Sequence, residues 1–406
     1  MANRPRPRPC VDIIGTESPS GLTERPTTAH STGKVGISGV RSAYLAQGNP
    51  GRRQADTVEL GIYTFGDIVP DAHSGHAVSA SERTRQMLEM ASLADEAGLD
   101  IVGVGEHHGL RYVNSATATI IAAMAARTKR IRFTSATTSI STADPVRTFQ
   151  EFATADLVSG GRVELIFGRG AFTDNFPLFG YDLDDYDALF LEKVDLFAKL
   201  NAYERVTWSG KHRPPLFDAE IAPRPTQRAL PVWIGAGSPN SVIRAATLGY
   251  PLAIPVLGGS TAGYAQLGAL YRQAWGAAGH DSAMVRIAAF GHLHITETSR
   301  KTREDFFPYY RAYLEPIFRG NMPRATYDQM LSPGGSLVGG SVTEVVDKLG
   351  ALRDAVGITR FVGQIDIGGQ PFGDVAQGIE LLATRVAPQL AAKDRPTSVQ
   401  ATQAVA

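Results

Sequence analysis

The chain has a single cysteine, Cys10, which rules out an internal disulfide and any zinc site built on several thiolates. It lacks an excess of either charge. Forty basic side chains balance forty acidic ones, so no broad basic field for nucleic acid is expected. No apolar run reaches membrane-spanning length, and no apolar stretch of the secretory-leader kind stands near Met1. A reducing cytoplasm is therefore the expected compartment, with neither nucleic acid nor membrane as partner. No H-E-x-x-H helix is present and no metal site is expected. What remains is 406 residues, 43% hydrophobic, enough for one large domain with a sizeable core.

The two ends differ from the middle. Residues 2–9 read ANRPRPRP, and polar, Gly- and Pro-rich sequence continues to about Thr57. Repeated proline prevents a helix, and few apolar residues cluster there, so residues 1–57 are expected to be a disordered tail. Residues 391–406 have a similar composition and are expected to be flexible.

Between the tails, residues 58–390 alternate short apolar runs with helical patterns. Val58 to Phe65 alternates and is rich in strand formers; Ser81 to Ala97 has helical spacing, with Ser81 as candidate N-cap and Gly98 as C-cap. Further strands are expected at 101–105, 130–140, 163–167, 231–235, 252–257, 285–295 and 360–367. Helical patterns fall between them; Pro308 and Pro316 break the one over 301–318, and residues 323–340 read as a long mobile lid. Eight strands with crossover helices fit an α/β fold, a (β/α)8 TIM barrel with loop insertions. A doubly wound open sheet would carry G-x-G-x-x-G after the first strand, and Phe65 to Pro70 does not read that way.

Active sites of such barrels lie at the C-terminal strand ends. The second strand ends in Gly103-Val104-Gly105-Glu106-His107-His108-Gly109. Side chains alternate along a strand, so if Val102 and Val104 pack against helices, His107 points into the mouth while Glu106 and His108 turn outward. His107 has a plainer reading as a hydrogen-bonded structural residue. Ala236-Gly237-Ser238-Pro239-Asn240-Ser241 joins a strand end to a helix N-terminus, where free N–H groups and the dipole favour an anion. Gly237 leaves the backbone bare, and Ser238 and Ser241 offer hydroxyls; alternatively Ser238 only caps its helix. Arg169, ending the fourth strand, reads equally as an ion-pair partner at the barrel mouth.

The order Glu106-His107-His108, then Thr142-Ala143-Asp144-Pro145-Val146-Arg147, then FATADLVSGGR running into Phe167-Gly168-Arg169-Gly170, resembles the bacterial luciferase-like flavin-dependent monooxygenases. Pro231-Val232-Trp233-Ile234-Gly235-Ala236-Gly237-Ser238 continues the likeness, and VELGIYTFGD with FPLFGYDLDDYD is most similar to an uncharacterised FMN-dependent branch. The resemblance implies His107 as the catalytic histidine, with Glu106 beside it. It implies a cis peptide between Ala136 and Thr137 beneath the flavin, Gly168 beside the flavin, and a phosphate site at Arg169, Gly237, Ser238 and Ser241. Three positions depart from the family: Gly168 stands where luciferases carry a cysteine, Gly237 replaces a glutamate, and Asp187 falls where a second phosphate arginine is found.

The implied activity is oxygenation of a small organic substrate by reduced FMN and O2, through a flavin C4a-peroxide. No fold for a pyridine nucleotide is legible, so a separate NAD(P)H:flavin reductase is the expected source of reduced FMN, and a homodimer the expected assembly. Two alternatives stay open: an F420-dependent hydride-transfer oxidoreductase, and a flavin-binding protein without turnover.

Overall fold

The computed structural model describes residues 57–170, 173–318 and 322–393. The expected N-terminal tail lies outside these residues except for Thr57; residues 391–393, assigned above to the C-terminal tail, instead continue the helix Ala387–Lys393.

Eight parallel strands form the sheet: β1 Glu59–Thr64, β2 Ile101–Val104, β3 Arg132–Ser135, β4 Val163–Gly168, β5 Val232–Gly235, β6 Leu252–Val256, β7 Ile287–Thr296 and β8 Arg360–Gln364. Each pairs with its neighbours in chain order, and β8 closes on β1 with Glu59 opposite Arg360 and Tyr63 opposite Gln364. After successive strands come helices α1 Ala80–Ala97, α2 Thr117–Ala125, α3 Pro145–Ser159, α4 Tyr186–Ala202, α5 Pro239–Thr247, α6 Thr261–Ala277, α7 Val342–Val356 and α8 Phe372–Leu381. This is a closed (β/α)8 barrel.

Local chemistry sets the helix ends. Asp144 accepts from the backbone N–H groups of Val146 and Arg147, Pro145 fills the first position of α3, and Gly160 ends the helix in the left-handed region at φ 69°. Ser341 and Glu344 form a reciprocal capping box on α7. In α1 the cap is Ser79, which accepts from Glu82 N–H, and not Ser81; the helix starts two residues earlier because Ser79 is the residue whose hydroxyl reaches the first free N–H groups.

Strand alternation sorts the side chains into two apolar layers. Ile62, Val102, Val104 and Leu165 pack outward under the helices, while Tyr63, Ile101, Ile166, Trp233, Phe290 and Val362 fill the barrel interior. The N-terminal end of the interior is closed by Arg360. Its Nε lies 2.8 Å from Glu59 Oε2, its guanidinium also pairs with Glu164, and its Cζ sits 4.6 Å from the Trp233 ring centre.

Three segments depart from the expected pattern. The single strand expected at 130–140 is interrupted: after β3, Thr138–Ser139 pairs with Phe167–Gly168, while the intervening Ala136–Thr137 peptide is cis, as the resemblance implied. An antiparallel hairpin, Arg205–Trp208 with Leu216–Glu220, lies outside the barrel in a stretch where no strand was expected; its charged residues and register shift hid the alternation. The span expected as a mobile lid holds the helix Arg324–Leu331 and the strand Val338–Ser341, the latter pairing with the end of β7. With Phe306, Tyr310, Tyr327 and Leu337 this insertion has its own apolar cluster. Lys348 of α7 reaches into it and donates to the carbonyls of Met330, Leu331 and Leu337.

Candidate active site

At the end of β2 the alternation holds as expected. A Cβ placed on Gly103 would stand 2.7 Å from Tyr63 Cβ, so that face is the interior, and His107 continues it. His107 is 9% exposed. Its ring stacks on Tyr112 at 4.1 Å between centres and 17° between planes, and meets Phe65 edge-on at 4.6 Å. The loop that follows is tied back on itself: His107 N–H donates to Asn114 O at 3.0 Å, and the Asn114 amide donates to Gly105 O. Burial pushes the imidazole down to about 4, with the Asp174 charge opposing it, so the ring is neutral at pH 7.

Its neighbours are held elsewhere. Glu106 Oε1 lies 3.0 Å from His108 Nε2, and Glu106 Oε2 accepts from Ser139 N–H at 3.2 Å. The hydrogen bond that His108 donates to Glu106 holds its imidazole above its ordinary range, and Phe179 meets the ring edge-on at 5.0 Å. The two adjacent histidines therefore differ in kind: one neutral and packed among aromatic rings, the other drawn towards a carboxylate. Glu106 acts as a brace between the β2 end and the Thr138–Ser139 segment.

The middle of the mouth is built from small residues. A side chain at Gly168 would collide with Thr137 Oγ1, and one at Gly235 would come within 3.2 Å of Thr137 Cγ2. Thr137 thus occupies room that glycines at the ends of β4 and β5 leave, which explains why no cysteine fits at 168. A Cβ on Gly237 would stand 3.0 Å from Pro255 Cγ, so this glycine also allows the turn to pack against β6.

Across the mouth, Arg169, Ser238 and Ser241 come together as expected. Arg169 Nη2 donates to Ser241 Oγ at 2.7 Å, and the two serine hydroxyls are 2.7 Å apart. Ser238 stands at the N-cap of α5 but makes no side-chain bond to the helix backbone. The plain capping role is therefore not what its hydroxyl does. Arg169 also takes its ion-pair role, with Nη1 2.7 Å from Asp187 Oδ1. Arg244, one helical turn beyond Ser241, donates to the same oxygen at 2.7 Å. Sequence reading missed Arg244, although the three-residue spacing from Ser241 on one helix face was a usable signal. Two guanidinium groups, two hydroxyls and a helix N-terminus make a donor set that suits a phosphate monoester.

A second polar cluster was not foreseen. Arg83 of α1 pairs with Asp366, which follows β8, and lies 4.0 Å from Asp67, which follows β1. Thr64 Oγ1 donates to Asp366 Oδ2 at 2.5 Å. Burial, then the charge of Asp366, pushes the Asp67 carboxyl up to about 7, so it holds a proton near neutrality. The trio lines a cavity of about 230 Å³. Asp67 bridges in the backbone to Tyr112, the ring on which His107 stacks. Among the described residues, no group of three or more His, Cys, Asp or Glu side chains is arranged to hold a metal ion. Nor is any helix there long and apolar enough to cross a membrane.

The chain belongs to the luciferase-like monooxygenase family, whose sequence model matches residues 59–356. It is 33% identical over 174 residues to an F420-dependent glucose-6-phosphate dehydrogenase of Amycolatopsis mediterranei, covering 41% of this chain and 52% of the relative. It is 26% identical over 165 residues to the oxygenase component of a flavin-dependent trigonelline monooxygenase of Acinetobacter baylyi, covering 38% and 44%. The chain thus spans about half the length of the curated relatives it matches. Among solved structures it is similar in fold to the monooxygenase RslO1 of Streptomyces bottropensis, at a TM-score of 0.73 and 24% identity over 82% of this chain and 99% of that one. The family includes flavin-dependent monooxygenases and F420-dependent oxidoreductases.

Proposed function

We propose that the protein is a flavin-dependent monooxygenase that takes reduced FMN from a separate NAD(P)H:flavin reductase and oxygenates a small organic substrate with O2. The observation that carries this reading is the pairing, in one barrel mouth, of a compact anion seat with a buried neutral histidine. Arg169, Ser238, Ser241 and Arg244 would hold the FMN phosphate at the start of α5. When bound, the reduced flavin supplies the electrons that activate oxygen. His107 is placed to hold or pass a proton through a ring nitrogen, because a neutral imidazole can accept one and donate one. Phe65 and Tyr112, packed on its ring, keep water from it. Glu106 is a positioning residue: it fixes His108 and the Ser139 backbone rather than meeting the reacting atoms. A separate reductase fits the relative whose name is that of an oxygenase component.

A second reading, hydride transfer with F420, is favoured by the dehydrogenase relative. F420 carries a phosphodiester with an anionic tail, and such a tail calls for cations beyond Arg169 and Arg244.

Equilibrium dialysis of the protein against FMN, riboflavin and F420 separates the readings. FMN should bind more tightly than riboflavin, and Arg169→Gln should narrow the gap. Anaerobic loading with reduced FMN, then addition of oxygen and candidate substrates, should give oxygenated product and little hydrogen peroxide for the right substrate. Tight F420 binding with no FMN preference over riboflavin would sink the proposal. A protein that binds FMN but yields no product with any partner would instead be a carrier.

A further inference from the structure

We infer that Asp187 is a resident competitor in the anion seat: its carboxylate occupies the place of a phosphate between Arg169 and Arg244 and leaves when a phosphate monoester arrives. This rests on the reading of that seat as a phosphate site and concerns how the site is regulated.

Three observations converge. First, both arginines donate to one and the same oxygen, Asp187 Oδ1, at 2.7 Å each. Two cations from β4 and α5 meeting on a single oxygen is the arrangement a phosphate oxygen would complete. Second, exposure is unequal. The Asp187 side chain is 56% exposed, against 26% and 24% for Arg169 and Arg244. Arg169 has other anchors: Ser241 Oγ at 2.7 Å, and the Tyr186 ring, whose centre is 4.9 Å from its Cζ. Arg169 is held from other sides, and the more exposed aspartate can turn into solvent. Third, the hydroxyls of Ser238 and Ser241 bond to each other rather than capping α5, so a ligand can use both.

The charges favour the exchange. Two guanidinium groups facing one carboxylate are under-neutralised, and a phosphate dianion in its place balances them. Asp187 stays ionised, because the hydrogen bond from Arg244 and then that from Arg169 hold its carboxyl below the usual range. The competitor is therefore present at every physiological pH. Its effect is to lower the affinity for the phosphate end and to hasten its departure. A cofactor that must arrive reduced and leave oxidised in each cycle gains from that, where a permanently bound one would not. Arg244 becomes the second phosphate cation, supplied from α5 while the α4 position carries the opposite charge.

The test is the affinity and release rate of oxidised FMN, with riboflavin as the control lacking phosphate. Asp187→Asn should tighten FMN roughly three- to tenfold, the effect of two partly exposed ion pairs no longer competing. FMN release should slow by a similar factor, and riboflavin should not change. Asp187→Ala repeats the test without an amide that could itself donate to the anion. Arg244→Gln should weaken FMN and leave riboflavin alone, and millimolar inorganic phosphate should compete better in the Asp187 variants than in the wild type. If Asp187 is instead a scaffold that orients the arginines, its removal weakens FMN, and that opposite sign overturns the inference. An unchanged affinity overturns it as well. Arg169→Gln keeps the two ideas apart. If Arg169→Gln leaves the FMN-to-riboflavin affinity ratio as in the wild type, the phosphate site itself is misplaced; if it weakens FMN selectively while the Asp187 variants do not tighten FMN, only the competitor is wrong.

Discussion

Replacing His107 with glutamine should remove a proton that the folded protein refuses and the unfolded chain accepts. The native imidazole is pushed down to about 4 by burial against Phe65 and Tyr112. At pH 5 that leaves about nine in ten of these rings neutral, whereas an ordinary histidine would be ~97% charged. The linkage has a definite sign. Below pH 6.5 the unfolded chain takes up a proton at this position and the native state does not, so native stability falls as pH drops from 6.5 towards 4. Over that window one histidine accounts for about 3 kcal/mol. His107→Gln should therefore flatten the pH dependence of the urea midpoint between pH 6.5 and 4, by roughly that amount against wild type. Imidazole NMR reads the titration directly, since the chain has only nine histidines and the variant identifies the missing resonance. A His107 signal with its midpoint between 6 and 7 would refute the reasoning. On the functional side, His107→Gln should cut product formed per reduced FMN by ~10²–10⁴, the span for a lost acid–base group, with oxygen lost as hydrogen peroxide. His108→Gln should cost mainly stability, about 1 kcal/mol, because it frees Glu106 from one of its two bonds. Equal uncoupling in the two variants would mean that the neutral, packed ring has no special role.

Arg360→Met should destabilise the barrel by about 3 kcal/mol, because it leaves buried Glu164 with only the more distant Arg132, at 4.0 Å, as its cation; chemical denaturation measures it, and the FMN-to-riboflavin affinity ratio should not move. Asp67→Asn should stabilise the protein at pH 8 and lose that advantage towards pH 5. Its native carboxyl, raised to about 7, binds a proton that the unfolded chain releases above about 4, so wild-type stability declines as pH rises through 7. Parallel stability curves for wild type and Asp67→Asn would show that the carboxyl is not held neutral.

Much of this site was open to sequence reading because barrels and strands have strict geometry. The two-residue alternation on β2 separated His107 from Glu106 and His108, and the valines confirmed it by packing outward. The Gly237-Ser238 turn was legible because a strand end, small residues and a helix start occur together there. Arg83 was not, because its partner Asp366 lies 283 residues away and a single arginine in the first turn of an amphipathic helix looks like a solvated one. Asp366 itself stands just past a strand end, where barrel geometry would have pointed. Arg244 hid for a similar reason, since on an exposed-looking helix face only its distance from Ser241 marked it. The insertion after β7 escaped because Pro323, Gly334 and Gly335 read as loop, while its order comes from Tyr310, Tyr327 and a lysine on a different helix.

That insertion has its own core, separate from the layers that hold the barrel closed, and one side chain, Lys348, ties three of its carbonyls to α7. Residues in it can therefore vary without disturbing the strands that carry His107 and Arg169. The chain is divided like a tool with a fixed handle and an exchangeable head: drift in roughly forty residues after β7 would reshape that end of the barrel while the strands that position His107 and Arg169 are inherited unchanged. Grafting this segment between relatives would leave the barrel strands intact and test whether the insertion sets what the mouth admits.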